Sequence, residues 1–259
     1  MIEAEGLALD LGGRPVLRGV ALAARPGQVT AIVGPNGSGK TTLLRALTGE
    51  IPARGRIALD GAAIGAIPGW RLAARRAVLP QSLRLAFPFT LAEVVAMGLA
   101  AGLAAGRPEV AEAALAEVDL AGRGAASFQD LSGGEQARGH LARVRAQVWD
   151  PAPAGRASWL FLDEPVASLD IGHQLLVMGL VARFAARGGG AIAVMHDLNL
   201  TAMFADQVLL LDQGRILAAG PPAQVLTDAL LERAYRTPLR VNRTPPEGTV
   251  FLLPQAAAR

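Results

Sequence analysis

The chain has no cysteine, which excludes disulfides, thiolate metal sites and iron–sulfur ligation and points to the cytoplasm. Lysine is almost missing as well. Of 25 lysines and arginines, Lys40 is the sole lysine. No uninterrupted apolar run reaches the ~18 residues that a bilayer-spanning helix needs. The nearest, LAEVVAMGLAAGLAAG at 91–106, is short, carries Glu93 and is interrupted by Gly98, Gly102 and Gly106. The N-terminal MIEAEGLAL lacks the basic and apolar regions of a signal peptide. Charge is not concentrated either: the net charge is +3. The densest basic cluster, RLAARR at 71–76, reads as a solvated surface and not as a face that tracks nucleic-acid phosphates.

What is present is a globular chain of 259 residues with 51% hydrophobic residues, enough for one large or two modest domains. VTAIVG (29–34), SWLFLD (158–163), AIAVMHD (191–197) and DQVLLLD (206–212) are short apolar runs that read as buried strands, and RILAAG follows the last of them. Helical spacing runs through 173–187 and 198–205. Strands alternating with helices imply an α/β fold with a parallel sheet covered on both faces. From about 83 to 150 no strand-like run occurs, while 110–119 and 133–149 carry helical spacing; this reads as an inserted helical subdomain. DPAPAGRAS (150–158) reads as the loop leading back to the sheet.

The lone lysine sits in GPNGSGKTT at 34–42. Gly34, Pro35, Asn36, Gly37, Ser38, Gly39, Lys40 and Thr41 fit the spacing G-x-x-x-x-G-K-[ST], between a strand and a helix. Such a loop turns successive backbone N–H groups toward phosphates, and the helix that follows offers its positive end. Thr41 supplies a hydroxyl to Mg²⁺, and Lys40 reaches the β- and γ-phosphates of a nucleotide. A guanidinium is wider and planar, so arginine is a poor replacement there.

Asp163 and Glu164 close an apolar strand. Asp163 is expected in the Mg²⁺ shell and Glu164 as the base that orients and deprotonates water. Their strand is expected to lie beside the phosphate-loop strand in a parallel sheet, and ligands gather at the carboxyl ends of such strands. His196, after another strand, is expected at the same end as a sensor of the γ-phosphate. His140 and His173 lie in helical stretches and read as incidental. LSGGEQ (131–136) opens a helix with Ser132 as N-cap and Gly133 and Gly134 exposing N–H groups. One nucleotide does not need two phosphate sites. Two chains arranged head to tail do, each offering Lys40 to one nucleotide and Ser132 to the other.

Taken together, GPNGSGKTT, Gln81, LSGGEQ, FLDEP, SLD (168–170) and His196 resemble, in order and spacing, the ATP-binding cassette ATPases, over nearly the whole chain. The resemblance implies a P-loop NTPase fold with a mainly parallel core sheet, an N-terminal antiparallel β region and a helical insert. It implies one nucleotide-binding domain over 1–259 with a short tail from about 221. It makes Gln81 the residue that links the ATP and Mg²⁺ site to a membrane partner. Thr42, Glu135 and Asp170 join the nucleotide contacts, Asp170 by crossing to the other subunit.

LAFPFTLAEVVAMG (85–98), 131–147, 159–170 and 195–220 are similar to the ATP-binding subunit of bacterial hemin importers, AFPFT being the most telling piece. That family implies a homodimer on the cytoplasmic face of the inner membrane. It implies two transmembrane permease subunits, an indirect periplasmic hemin-binding partner and no nucleic acid. Siderophore and cobalamin importers share the HDLN segment and stay open as cargo alternatives. A soluble cassette ATPase acting on nucleic acid or ribosomes, and a switch that binds without hydrolysing, are the other rivals. The chain departs from the family in four places. No aromatic stands in 7–17 to stack on adenine, leaving Leu9 or Leu11. Val166 replaces a usual Thr. Gly139 and Arg145 stand at usually apolar positions, and Gly139 is expected to cost roughly 1 kcal/mol of helix stability.

Overall fold

The computed structural model describes residues 1–82, 85 and 87–256. Leu83 and Arg84, at the expected start of the helical insert, lie outside the described residues, as do Ala86 of AFPFT and 257–259 of the tail. Along the chain come strands β1 (Ile2–Leu11), β2 (Arg14–Ala24) and β3 (Val29–Val33), helix α1 (Lys40–Leu47), strands β4 (Arg54–Leu59) and β5 (Ala62–Ala63), helix α2 (Gly69–Ala73) and strand β6 (Arg76–Leu79). Helices α3 (Leu91–Ala101), α4 (Glu109–Glu117) and α5 (Gly133–Gln147) follow. Next are β7 (Trp159–Asp163), α6 (Ile171–Ala186), β8 (Gly190–Val194), α7 (Leu198–Phe204), β9 (Gln207–Asp212) and β10 (Arg215–Gly220). Helices α8 (Pro222–Val225) and α9 (Asp228–Tyr235) lie in the tail. No described helix is long and apolar enough to cross a membrane.

The strands form two sheets. β2-β1-β4-β5 is antiparallel, and β10-β9-β3-β8-β7-β6 is parallel except for β10. Every residue of β3, β7 and β8 is buried, as continuous apolar runs require when both faces of a sheet are covered. Alternation divides the core in two. Val29, Ala31 and Val33 face a cluster with α3–α6, while Ile32 faces one with β1, β2, β4 and α1. The second cover is thus largely an antiparallel sheet, with α1 between the two sheets.

One expectation about order fails. The strand of Asp163 does not lie beside the phosphate-loop strand. β8 is inserted between them, pairing with β3 on one side and β7 on the other. The three runs are equally apolar, so their order is a tertiary outcome. The register still aligns their ends, with Asp163 beside Val194 and Val194 beside Ile32. β8 stops at Val194, so Met195 and His196 belong to the connection to α7. The short edge strand β6 has too short an apolar run of its own to mark it in the sequence. The basic cluster is not simply solvated: Arg75 binds Asp60 at 2.6 Å and the carbonyl of Ala157 at 2.9 Å.

α3 lies ahead of the 110–119 and 133–149 helical stretches, and Thr90 and Glu93 form a reciprocal cap at its start. Its glycines are contact points. A methyl group on Gly98 would stand 2.0 Å from the carbonyl oxygen of Arg143, and one on Gly102 2.0 Å from that of Gln147, both on α5. Gly139 sits on α5 under Leu91 and Phe128, where an added carbon would come within 2.8 and 3.0 Å. The glycine expected to weaken its helix therefore admits a close helix contact. Arg145 is buried and satisfied. It pairs with Glu117 at 2.8 Å, donates to the carbonyls of Val148 and Trp149, and lies over the Trp149 ring.

Helix propensity alone would let Gly98→Ala gain up to ~1 kcal/mol. Overpacking against a backbone carbonyl is expected to outweigh that by about 2 kcal/mol and to lower Tm by roughly 5 °C in a thermal melt followed by circular dichroism. Gly106, with open space around its Cα, is the control: Gly106→Ala should leave Tm unchanged or raise it.

Candidate active site

The loop 34–39 joins β3 to α1, and two glycines in it are obligatory. Gly34 has φ 147°, and a methyl group there would stand 2.0 Å from the carbonyl oxygen of Leu211. Gly39, at φ 101°, presses against the carbonyl of Val16. The Ser38 carbonyl accepts from Gly214 N–H at 3.0 Å, which ties the loop to the β9–β10 turn. Lys40 opens α1 and is 6% exposed. Its Nζ donates to the carbonyls of Gly34 at 2.9 Å and Pro35 at 3.0 Å. Burial pushes the Lys40 ammonium below its ordinary value, against the opposing pull of Glu164 and Asp163.

Across the loop, Thr41 Oγ1 donates to Asp163 Oδ1 at 3.1 Å. Asp163 is 4% exposed. Burial raises its pKa, the Thr41 bond opposes this, and nearby Glu164 adds to the rise. Glu164 follows at φ 53°, a left-handed conformation that costs a non-glycine residue of order 1 kcal/mol. It is held by its N–H on the Val194 carbonyl at 3.2 Å, and Oε1 lies 2.5 Å from His196 Nε2. Three adjacent strand ends thus deliver Lys40, Asp163 with Glu164, and His196 to one edge.

Lys40, Glu164 and His196 line a cleft of about 540 Å³ with Asn36, Gly37, Gly39, Thr41, Thr42 and Gln81. Gln81, just after β6, also lines an adjoining 290 Å³ pocket with Thr41 and Asp163. Leu11 and Val16 line the same cleft. Leu9 is buried in the core, which leaves Leu11 as the aliphatic contact of the pair considered. Val16 carried no sequence signal. The residues fit a triphosphate and its cation. Ser38 Oγ is buried without a hydrogen-bond partner among the described residues. The oxygens of Thr41, Asp163 and Gln81 are hard donors that suit Mg²⁺ while leaving places for phosphate oxygens and water.

Ser132, Gly133, Gly134, Glu135 and Asp170 do not line this cleft. Ser132 caps α5 in a reciprocal bond with Glu135. Asp170 caps α6, accepting from His173 N–H at 2.9 Å, with the His173 ring at 2.8 Å. His173, read as incidental, therefore fixes the Asp170 carboxylate and lies 3.5 Å from Asp119. His140 packs on Phe128, with ring centroids 4.7 Å apart.

The family model described as "ABC transporter" matches residues 17–167. The chain belongs to this family, as an ATP-binding and ATP-hydrolysing subunit. Its similar relatives include the hemin import ATP-binding protein HmuV of Jannaschia sp. (strain CCS1), 58% identical over 259 residues, 100% of this chain and 96% of that protein. The protein of the same name from Roseobacter denitrificans is 54% identical over 258 residues, covering 100% and 99%. Among solved structures, an ATP-binding cassette of an ABC transporter in its ADP conformation superposes with TM-score 0.76 at 22% identity, over 91% of this chain and 98% of that one. A bacterial Atm1-family ABC exporter with ATP bound gives 0.74 at 28% identity, over 90% of this chain; this chain spans 39% of that exporter chain's length.

Because burial raises the pKa of Asp163, its ionised form costs folding free energy above the ordinary value of 3.8. The protonated form's advantage is complete below that value and is lost as pH rises through the raised one. Asp163→Asn should therefore raise Tm of the ligand-free protein at pH 7. The gain should shrink as pH falls to 4 and below, in a melt series at several pH values.

Proposed function

We propose that this chain is the ATP-hydrolysing subunit of a bacterial hemin importer, acting as a homodimer beneath two transmembrane permease subunits on the cytoplasmic face of the inner membrane. The periplasmic hemin-binding protein would act on it only through the permease. The cargo rests on likeness to hemin import ATP-binding proteins along essentially the full length of both chains. The chemistry rests on the Lys40, Asp163, Glu164 and His196 cluster at one sheet edge. The whole of 1–259 is read as one nucleotide-binding domain, with a helical subdomain over about 83–150 and a tail over about 221–259.

In this reading, backbone N–H groups of 34–39 with Thr41 and Thr42 cradle the phosphates. The Lys40 ammonium leaves the Gly34 and Pro35 carbonyls for the β- and γ-phosphates. Thr41, Asp163 and Gln81 hold Mg²⁺, which when bound neutralises charge building on the phosphate oxygens. Glu164 takes the proton of the attacking water, and His196 keeps its carboxylate aimed while facing the γ-phosphate. The start of α5, with Ser132, Gly133, Gly134 and Glu135, serves the nucleotide of the other subunit, with Asp170 at the same seam. Lying outside the cleft of their own chain, as they do, is what such an exchange requires. Closure around two nucleotides drives the permease, and hydrolysis reopens the dimer.

Glu164→Gln should keep ATP binding and lower turnover at least ~100-fold, the scale of a lost general base, in a phosphate-release assay. Wild-type turnover would remove Glu164 from the role. Cargo is tested with the wild-type protein and its permease in liposomes. The periplasmic binding protein is added empty, hemin-loaded, siderophore-loaded or cobalamin-loaded. Hydrolysis should rise with the hemin-loaded form; a rise only with another load keeps the motor and replaces the cargo.

A further inference from the structure

The start of α5 carries an electrostatic conflict. Its N–H groups and Ser132 suit a phosphate, yet Glu135 stands one turn in. Both oxygens of that carboxylate are engaged. Oε2 accepts from Ser132 N–H at 2.9 Å and from the Ser132 hydroxyl at 2.7 Å. Oε1 faces Arg123 Nη1 at 3.0 Å. Ser132 has a single hydroxyl proton and donates it to Glu135; its oxygen accepts from Glu135 N–H at 3.3 Å. A phosphate arriving here meets a committed hydroxyl and a negative charge. That charge persists, because the Ser132 bonds, with Arg123 adding to them, hold the Glu135 carboxyl below the usual carboxylate range.

Arg123 comes from the connection between α4 and α5. Its own N–H donates to the Leu120 carbonyl at 3.1 Å, and its carbonyl accepts from Ala126 at 2.9 Å. Its side chain is 50% exposed and that of Glu135 21%. An ion pair so open to water adds little to stability, so its position calls for another account.

We propose that Arg123 is a positioning residue for the phosphate-facing start of α5: by holding Glu135 through Oε1, it keeps that carboxylate turned to a cation and offsets the negative charge that a phosphate meets beside Ser132. This rests on the reading of Ser132 and its glycines as the contact to the partner subunit's nucleotide. Without Arg123, the carboxylate charge is uncompensated and repels the triphosphate. With a neutral amide at 135, no cation is needed.

The test measures ATP-dependent dimerisation of the full chain in the Glu164→Gln background, by light scattering after size exclusion. Arg123→Ala, and Arg123→Gln as a second variant, should raise the ATP concentration for half-maximal dimer about tenfold, the scale of one uncompensated like-charge contact. Tm of the ligand-free protein should stay unchanged. Adding Glu135→Gln to Arg123→Ala should bring that concentration back to within about twofold, a rescue that a merely structural pair would not produce. An unchanged midpoint in the Arg123 variants, or a loss that persists in the double variant, overturns the proposal. Ser132→Tyr separates it from the underlying reading. Dimerisation at wild-type ATP concentrations in that variant removes the α5 start as a phosphate site altogether. Loss of the dimer there, with no effect of Arg123→Ala, leaves the site and removes only Arg123.

Discussion

Lys40 and Asp163 are held almost dry at the carboxyl edge of one sheet, and neither has a full complement of countercharge. The ammonium has two carbonyls, and the carboxylate has one hydroxyl. Burial disfavours both charges, depressing one pKa and raising the other. Such an arrangement persists only if the surrounding structure fixes it. The fixing comes from three covered parallel strands, from Gly34 wedged under Leu211, and from Glu164 held left-handed on the Val194 carbonyl. A polyanion with a divalent cation would satisfy both charges at once, so the folding cost here is the reverse side of affinity for nucleotide.

The local parts of the site were legible in sequence because each is a short pattern with its own physics. Lys40 stands out against 24 arginines, the glycine spacing marks a phosphate loop, and Asp163 with Glu164 closes a strand. What could not be read was assembly. The runs 29–33, 159–163 and 190–194 are alike in apolarity, so nothing local says that β8 divides the other two. β6 has four residues and begins with Arg76, too little to stand out. The glycines at 98, 102 and 139 look like breaks in a helix until the facing carbonyls and side chains are known. Arg145 looks misplaced until Glu117 and two helix-end carbonyls are seen around it. The resemblance to cassette ATPases supplied the antiparallel region that residue patterns had not, and the family match bears that resemblance out.

The aliphatic lining of the cleft follows the same rule. An adenine-stacking aromatic is absent from 7–17, and sequence alone left Leu9 and Leu11 as candidates. The strand end decides between them: Leu9 pairs with Leu17 and is buried in the core, whereas Leu11, beyond a register shift between Leu9 and Asp10, pairs with Arg14 at the end of β1 and lines the cleft with Val16.

α5 ties the distant pieces together. At its start are Ser132 and Glu135. Along its body, Arg138 donates to the carbonyls of Val118 and Asp119, and Arg143 to that of Val78. Gln147 donates to the carbonyls of Ala73 and Arg76. The forked guanidinium can satisfy two carbonyls at a helix end while remaining charged, which a lysine does less well, and this helix has no lysine. Its C-terminal half is thereby fastened to β6, two residues before Gln81. Its N-terminal half is fastened to the insert through those Arg138 bonds and through Gly139, set close under Leu91 and Phe128. A displacement at Gln81 and one at Ser132 share a single packed body with few adjustable joints.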